Sequence, residues 1–526
     1  MGKGFLTVKL FVADGAKPVS KMRVLIKDTY GKIIYDLTAD KNGITRKVEL
    51  ETTDYRYSIT PEHTQPRFLV YTVEVPFARG YRRVIVYGVQ IFDTEISILP
   101  IRMHPALPSG TEEENTEEII IPINHGVDDP KRQEESSDPT IQYLQDPKAA
   151  ELPQASQFPR IVPANEVAIP PYITVHLGLP NAAARNVRLP FADYIKNVAS
   201  SEIFPTWEDA AIHANILCQI SFTLNRVYTL WYPSRGFDYD ITNSTQFDQF
   251  FVEGRNIFEN ISRIVDEIFN LFLRREGRRE PFFAQYCNGT TSICDGLSQW
   301  GSQYLAQQGY TTIQILHYYY PRDIQIVESN NFASNIGVYP GYPLRMGSSG
   351  DDVRRMQVYL NRISGNFYIP PVGFPDGVFG TSTRDSVIAF QNINSLIPDG
   401  IIGRSTWYAI TKIYVGVRQL AELVSEGERI GIGMIPPTVT LSIGSRGPYV
   451  IELQFLLNFI SEFYPSIPFV VEDGVFRDST KRSVVEFQEE FGLYPDGIVG
   501  RMTWSMLYEV YWAINAIVFG MEPLDL

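Results

Sequence analysis

Leu344-Arg-Met-Gly347-Ser-Ser-Gly350 and Leu441-Ser-Ile-Gly444-Ser-Arg-Gly447 are the same motif written twice, and the residues downstream of each copy decide how this chain is built. Gln357 pairs with Gln454, Asp376-Gly-Val-Phe379 with Asp473-Gly-Val-Phe476, and Phe390-Gln391 with Phe487-Gln488. Pro398-Asp-Gly-Ile401 pairs with Pro495-Asp-Gly-Ile498, and Gly403–Trp407 with Gly500–Trp504. All pairs keep one constant offset, so the copies align without a gap, which is the mark of an internal duplication. Within the first copy, Val353, Met356, Gln357 and Leu360 fall at helical spacing, and Ser386–Gln391 opens a second such face. The Asp-Gly pairs mark turns that need positive φ. The pattern predicts two small three-helix modules, over 336–415 and 436–514.

Each copy resembles the peptidoglycan-binding type-1 module, whose pattern runs G-x-x-G-x-x-V-x-x-x-Q, D-G-x-F-G-x-x-T, F-Q and D-G-x-x-G-x-x-T-W. Peptidoglycan binding is what that resemblance implies. Most of the motif residues also read simply as supports of a small fold. The second copy has Arg477 where the pattern has Gly, which predicts an altered turn and a weaker grip.

Working outward, 526 residues suffice for three or four domains, because single cores seldom grow past ~250 residues. Hydrophobic residues at 44%, with 31 Phe and 30 Tyr, describe a folded, aromatic-rich protein. A net charge of −14 offers no broad basic surface to a nucleic-acid backbone. No run of about 18 apolar residues appears, so no membrane span is expected. Met1-Gly-Lys-Gly-Phe-Leu-Thr-Val-Lys alternates like a strand and lacks the apolar core of a signal peptide.

Residues 1–104 read as a β-sandwich accessory domain. Its strands are expected at Phe5–Val12, Met22–Lys27, Ile33–Leu37, Ile44–Leu50, Phe68–Val75 and Val84–Val89, with turns at Asp14-Gly15 and Asn42-Gly43. Leu37-Thr-Ala-Asp-Lys-Asn-Gly43 resembles transthyretin-like or carboxypeptidase-regulatory-like modules, which implies a structural or docking role, with wall or spore-coat proteins as possible partners. Residues 105–160, Pro-rich and carrying Glu112-Glu113-Glu114 and Glu117-Glu118, read as a solvated acidic tether.

The segment 161–335 carries the candidate chemistry. Phe191, Tyr194, Ile195, Val198 and Ala199 form an apolar stripe on which Glu202 is the next position. A carboxyl on such a face has its charged form disfavoured by burial, which suits a proton donor. Thr206-Trp-Glu-Asp209 reads as the cap of a helix running to about Val227, and places Glu202 at a corner that could edge a cleft.

Asp193–Trp207 resembles the SpoIID/LytB pattern of a Tyr-Leu-containing helix followed by E-M-P-x-x-W. Cys294-Asp-Gly-Leu-Ser298-Gln299-Trp-Gly301, Leu305-Ala306, Gly309-Tyr310 and Ile315–Pro321 are similar to that family's closing signature. The resemblance implies an α+β lytic transglycosylase of the cell wall or spore cortex that needs no cofactor. In it, Glu202 would protonate the glycosidic oxygen and then take the proton from the muramic acid C6 hydroxyl as the 1,6-anhydro ring closes. Hydrolytic glycosidases instead pair two carboxyls. Trp207, Ser298, Gln299, Tyr319 and Tyr320 would bind the glycan, and Trp300 and Tyr318 are further aromatics near the site.

Where the family's second helix carries Gln and Arg, this chain has Asn215 and Ile220, leaving Arg226 as the substitute. Two other readings therefore stand beside the enzyme: a non-catalytic wall-binding or spore-surface assembly protein, and an amidase activator. Cys287 and Cys294, near which some family members hold zinc, have no neighbouring His; a local disulfide or two thiols is favoured over a metal site. The six His show no ligand spacing. The expected location is the wall or spore envelope, reached without a recognisable signal peptide, from the forespore or mother cell or by lysis.

Overall fold

The computed structural model describes residues 1–107, 110–122, 167–290, 292, 294–332, 339–430, 432, 433 and 435–520. It is a multidomain α/β chain with mixed sheets at the N-terminus and a helical C-terminal region.

The first strand, Gly2–Val12, alternates as its sequence predicts. Leu6, Val8, Leu10 and Val12 are buried on one face, while Thr7, Lys9 and Phe11 stand on the other. It pairs parallel with Ile96–Arg102 and antiparallel with Val48–Thr52 and Lys17–Pro18. The second sheet runs Ile33–Thr38, Arg23–Lys27, Leu69–Val75, Arg83–Ile91 and Thr116–Ile120. Leu6, Val8 and Leu10 share one core with Val24, Ile26, Val73, Val84 and Val86 of that second sheet. Gly43 is required at its turn: φ is +71°, and a Cβ there would stand 2.3 Å from the Leu10 carbonyl oxygen.

Two strands of these sheets come from outside residues 1–104. Ile257–Phe258, from the central region, pairs with Ile96–Arg102. Thr116–Ile120 pairs parallel with Arg83–Ile91, so the acidic stretch is not a solvated tether over residues 110–122. The register supplies its backbone bonds, buried Asn115 ties the preceding turn by accepting from Leu107 N at 3.0 Å, and Glu117 pairs with His104 at 2.7 Å. The rest of the predicted tether, 123–160, lies outside the described residues.

The central region contains a three-stranded sheet ordered Asn186–Pro190, Tyr172–His176, Ile241–Thr242. Its helices are α1 Phe191–Glu202, α2 Asp209–Tyr228, α3 Glu259–Ile268, α4 Gln299–Gln307 and α5 Thr312–Tyr319. Leu271–Arg275 pairs with Ile324–Glu328, and Tyr286–Cys287 with Leu297–Ser298. Helix α2 is buried along almost its whole length and packs on α4, α5 and Leu271–Arg275. Its predicted Thr206 cap is not made, because the Thr206 hydroxyl bonds Ser58 at 2.7 Å instead. The free N–H of Glu208 finds the side-chain oxygen of Gln303 at 2.9 Å.

Each C-terminal module has three helices: α6 Asp351–Ile363, α7 Thr381–Ile393 and α8 Arg404–Ile430, then α9 Pro448–Ser461, α10 Asp478–Glu490 and α11 Arg501–Ile514. Their buried glutamines explain the repeat. Gln357 Nε2 donates to Asp376 Oδ1 and the Val378 carbonyl, both at 3.0 Å, and its Oε1 accepts from Gly377 N at 2.8 Å. Gln391 makes the same set with Asp399, Ile401 and Gly400. Gln454 and Gln488 repeat it around Gly474 and Gly497. Each module is thus two copies of one device, a buried amide clamping an Asp-Gly turn whose glycine has positive φ.

Arg477 does not alter its turn. The equivalent Gly380 has φ −93° and ψ −169°, and Arg477 has φ −107° and ψ −177°, extended backbone that any residue adopts. Its guanidinium pairs with Asp473.

The modules pack directly on the rest of the chain. Lys9 Nζ donates to the Ile393 carbonyl at 3.0 Å and Ser395 Oγ at 2.8 Å, and Tyr368 N donates to Asn42 Oδ1 at 2.7 Å. Lys412 meets Asp193 at 2.6 Å, Arg404 meets Glu328 at 2.7 Å, and Arg482 meets Asp238 at 2.9 Å. The buried core of the N-terminal sheets is continuous with that of both modules.

Candidate functional site

Glu202 ends α1, and the stripe that predicted its burial holds: its relative exposure is 0%. Its carboxyl accepts from Gln219, Tyr286 and Phe250. Gln219 Nε2 reaches Oε2 at 2.9 Å, the Tyr286 hydroxyl reaches the same oxygen at 2.6 Å, and Phe250 N reaches Oε1 at 2.8 Å. The network continues inward, since Gln249 Nε2 donates to the Gln219 carbonyl at 3.1 Å and Gln249 Oε1 accepts from Tyr194 at 2.9 Å and Thr223 at 2.7 Å. The acid side chain therefore lies inside the fold and not at an open cleft edge. Tyr286, one of its donors, is itself half-buried.

Arg226 does not substitute for the missing cation beside Glu202. Its Nε pairs with Asp248 Oδ1 at 2.9 Å, and Asp248 Oδ2 accepts from Tyr232 at 2.5 Å and from the Thr242 hydroxyl at 2.7 Å. Asn215 Nδ2 donates to the Ala211 carbonyl at 2.9 Å and to Ser302 Oγ at 2.8 Å, and Ile220 is fully buried.

Of the residues expected to bind glycan, Trp207, Gln299 and Tyr320 are buried, and Ser298 and Tyr319 are half-buried. Trp207, 4% exposed, donates from Nε1 to the Ser58 carbonyl at 3.0 Å and packs against Trp300 with ring centroids 4.9 Å apart. Arg67 lies 4.6 Å from the Trp300 ring and 5.3 Å from Phe204, so the Phe204–Trp207 end of the signature docks the central region on the N-terminal sheets. Tyr320 is buried, and its hydroxyl donates to the Gln285 carbonyl at 2.7 Å and lies 3.5 Å from Cys218 Sγ. Burial pushes the Cys218 thiol up to about 12.

Ser298 caps α4, its Oγ accepting from Gly301 N at 3.0 Å, and hydrogen-bonds half-buried Tyr319. Gln299 is fully buried, and neither of its amide atoms has a hydrogen-bond partner among the described residues. Tyr304, Tyr310 and Tyr318, in and between α4 and α5, are exposed. Sequence reasoning singled out only Tyr318 among them as a candidate.

Cys287 and Cys294 form a disulfide. Among the described residues no group of three or more His, Cys, Asp or Glu could hold a metal ion, and no helix is long and apolar enough to cross a membrane. His176 is buried and held on both ring nitrogens: Nδ1 meets Asn186 Oδ1 at 2.8 Å and Nε2 meets the Leu179 carbonyl at 3.1 Å. His125 lies outside the described residues.

Residues 349–410 and 446–507 match the family model of the peptidoglycan binding domain. The C-terminal region thus carries two peptidoglycan binding domains. The chain is also 29% identical over 173 residues to a Bacillus licheniformis protein named "Probable N-acetylmuramoyl-L-alanine amidase", a match that covers 31% of this chain and 44% of that protein. The chain spans less than half the length of that curated relative. A solved structure titled "The Bacillus anthracis TIE protein" is 20% identical over 20% of this chain and 18% of that one, with a TM-score of 0.15.

Proposed function

We propose that the chain is a peptidoglycan-binding protein of the bacterial cell wall, in which the tandem modules grip the polymer and the central region is a rigid body built around a structural Glu202. The matched pair of modules carries this reading. Their surfaces support it: Phe374 and Ile397 in the first copy, and Val471 and Tyr494 at the equivalent positions of the second, stand in solvent at 86%, 55%, 74% and 83% exposure. Repeated apolar side chains on a module surface suit the flat faces of sugars.

Sedimentation with purified wall sacculi tests it. The full chain is expected in the pellet, and the double variant Phe374→Ala with Tyr494→Ala is expected to shift toward the supernatant. Wild-type protein that stays in the supernatant would overturn the proposal.

A second reading keeps the lytic transglycosylase. The observation favouring it is that Tyr286, which hydrogen-bonds the Glu202 carboxyl, is only half-buried, so displacement of that ring on a bound glycan would help to uncover an acid. Release of 1,6-anhydro-muropeptides from glycan strands, abolished in Glu202→Gln, is what this reading requires. The similarity to a protein named as an amidase supports a wall-hydrolase role of another chemistry, or the activation of an amidase. Free stem peptide released by the chain alone, or a faster amidase in its presence, would mark either. A spore-envelope location is read by following the protein through sporulation.

A further inference from the structure

A cavity of about 860 Å³ lies where the N-terminal sheets, the central region and both modules meet. Its volume falls in the range of ligand sites. None of Glu202, Trp207, Ser298, Gln299, Tyr319 or Tyr320 lines it. Many charges in its wall are matched within the protein: Arg102 with Asp14, Arg185 with Glu253, Lys412 with Asp193, Lys196 with Asp266, and His104 with Glu117.

Four lining cations have no carboxylate partner among the described residues. Lys9 reaches only a carbonyl and a hydroxyl. Arg188 lies over the Tyr172 ring at 3.6 Å, and Arg82 Nε is buried without a hydrogen-bond partner. Arg255 is 1% exposed, and its guanidinium donates to the neutral Asn256 carbonyl and Gln90 Oε1 at 3.0 and 2.9 Å. Against these, Glu118 and Glu490 are the lining carboxylates without a cation partner; Glu118 is exposed, and Glu490 accepts from Ser466 at 2.8 Å. A buried cation without a counter-charge is costly, and an incoming carboxylate would relieve that cost. The net result is a cationic recess in a protein whose net charge is −14. Phe11, Phe250, Phe251 and Tyr464 add apolar surface to the same wall.

We propose that this junction cavity binds a short peptide bearing two or more carboxylates, the class to which peptidoglycan stem peptides belong. The choice of stem peptide rests on the wall-binding reading above; the need for carboxylates rests on the cavity alone. Recognition works by charge pairing to Lys9, Arg188 and Arg255, so it weakens with salt. Since all four parts of the chain contribute lining residues, occupancy also braces their junction.

Titration calorimetry on the full chain tests this with three probes: a free stem tetrapeptide, the same peptide with its carboxylates amidated, and neutral N,N′-diacetylchitobiose. The free peptide is expected to bind one to one, and the other two to be silent. Lys9→Gln and Arg188→Gln, both at part-exposed positions, are each expected to weaken binding about tenfold while the circular dichroism of the variants matches wild type. Absence of heat with the free peptide, equal binding of the amidated peptide, or variants indistinguishable from wild type would each overturn the proposal. Sacculus sedimentation run on the same preparation separates the two ideas. A chain that pellets with sacculi but ignores the peptide loses the cavity site alone, whereas a chain that binds the peptide but does not pellet loses the wall-binding reading.

Discussion

The modules and the central region solve the same problem in opposite ways. Both bury polar side chains that must find partners. In the modules, four glutamines each satisfy a local Asp-Gly turn whose glycine lies 20 or 9 residues further along the chain, and the device repeats. In the central region, Glu202 gathers donors from distant segments, Phe250 and Tyr286, 48 and 84 residues further along the chain. The contrast teaches that a motif marks a residue the fold cannot spare without saying whether chemistry or architecture needs it.

That difference predicts where substitutions hurt most. Arg226→Leu leaves the Asp248 carboxylate buried without its cation, and should cost about 3–5 kcal/mol by denaturant titration. Survival of full stability would break the view of the central core as a charge-paired scaffold. Gln391→Leu strands the Gly400 amide and Asp399, and should cost about 2–3 kcal/mol; Gln488→Leu in the second module should match it within experimental scatter. Unequal losses would show that the two copies are not energetically equivalent.

A smaller effect concerns the junction between the two halves. Burial, reinforced by Asp14, pushes the Glu462 carboxyl up to about 7. Its folded value lies above the unfolded one near ~4.3, so its favourable contribution is complete below that pH and is lost as pH rises through about 7. Thermal melts from pH 5 to pH 8 should fall more steeply for wild type than for Glu462→Gln. The smallest expected change is Arg477→Gly, within ~0.5 kcal/mol, because the backbone is already extended and only an exposed ion pair is lost.

How much could be read from residues alone tracks the same division. The repeat, its helices and its turns were legible because each contact is local and period-bound. The first strands and the burial of Glu202 were legible from alternation and from the apolar stripe. The Thr116–Ile120 strand was not, since a run of Glu reads as solvated until its parallel partner Arg83–Ile91 is known. Nor was the role of Trp207, whose hydrogen-bond partner Ser58 lies in the N-terminal region. Lys9, Arg188 and Arg255 drew no attention, because each is an ordinary strand or loop cation until four separate stretches of chain close around it.

The most direct test replaces Glu202 with Gln and reads two quantities in one preparation: the unfolding free energy and the release of anhydro-muropeptides from glycan strands. A structural carboxylate predicts a loss of about 2 kcal/mol, from mismatched donors at Oε1 and Oε2, and no wild-type product to abolish. Unchanged stability together with a wild-type product that the variant no longer makes would contradict the account.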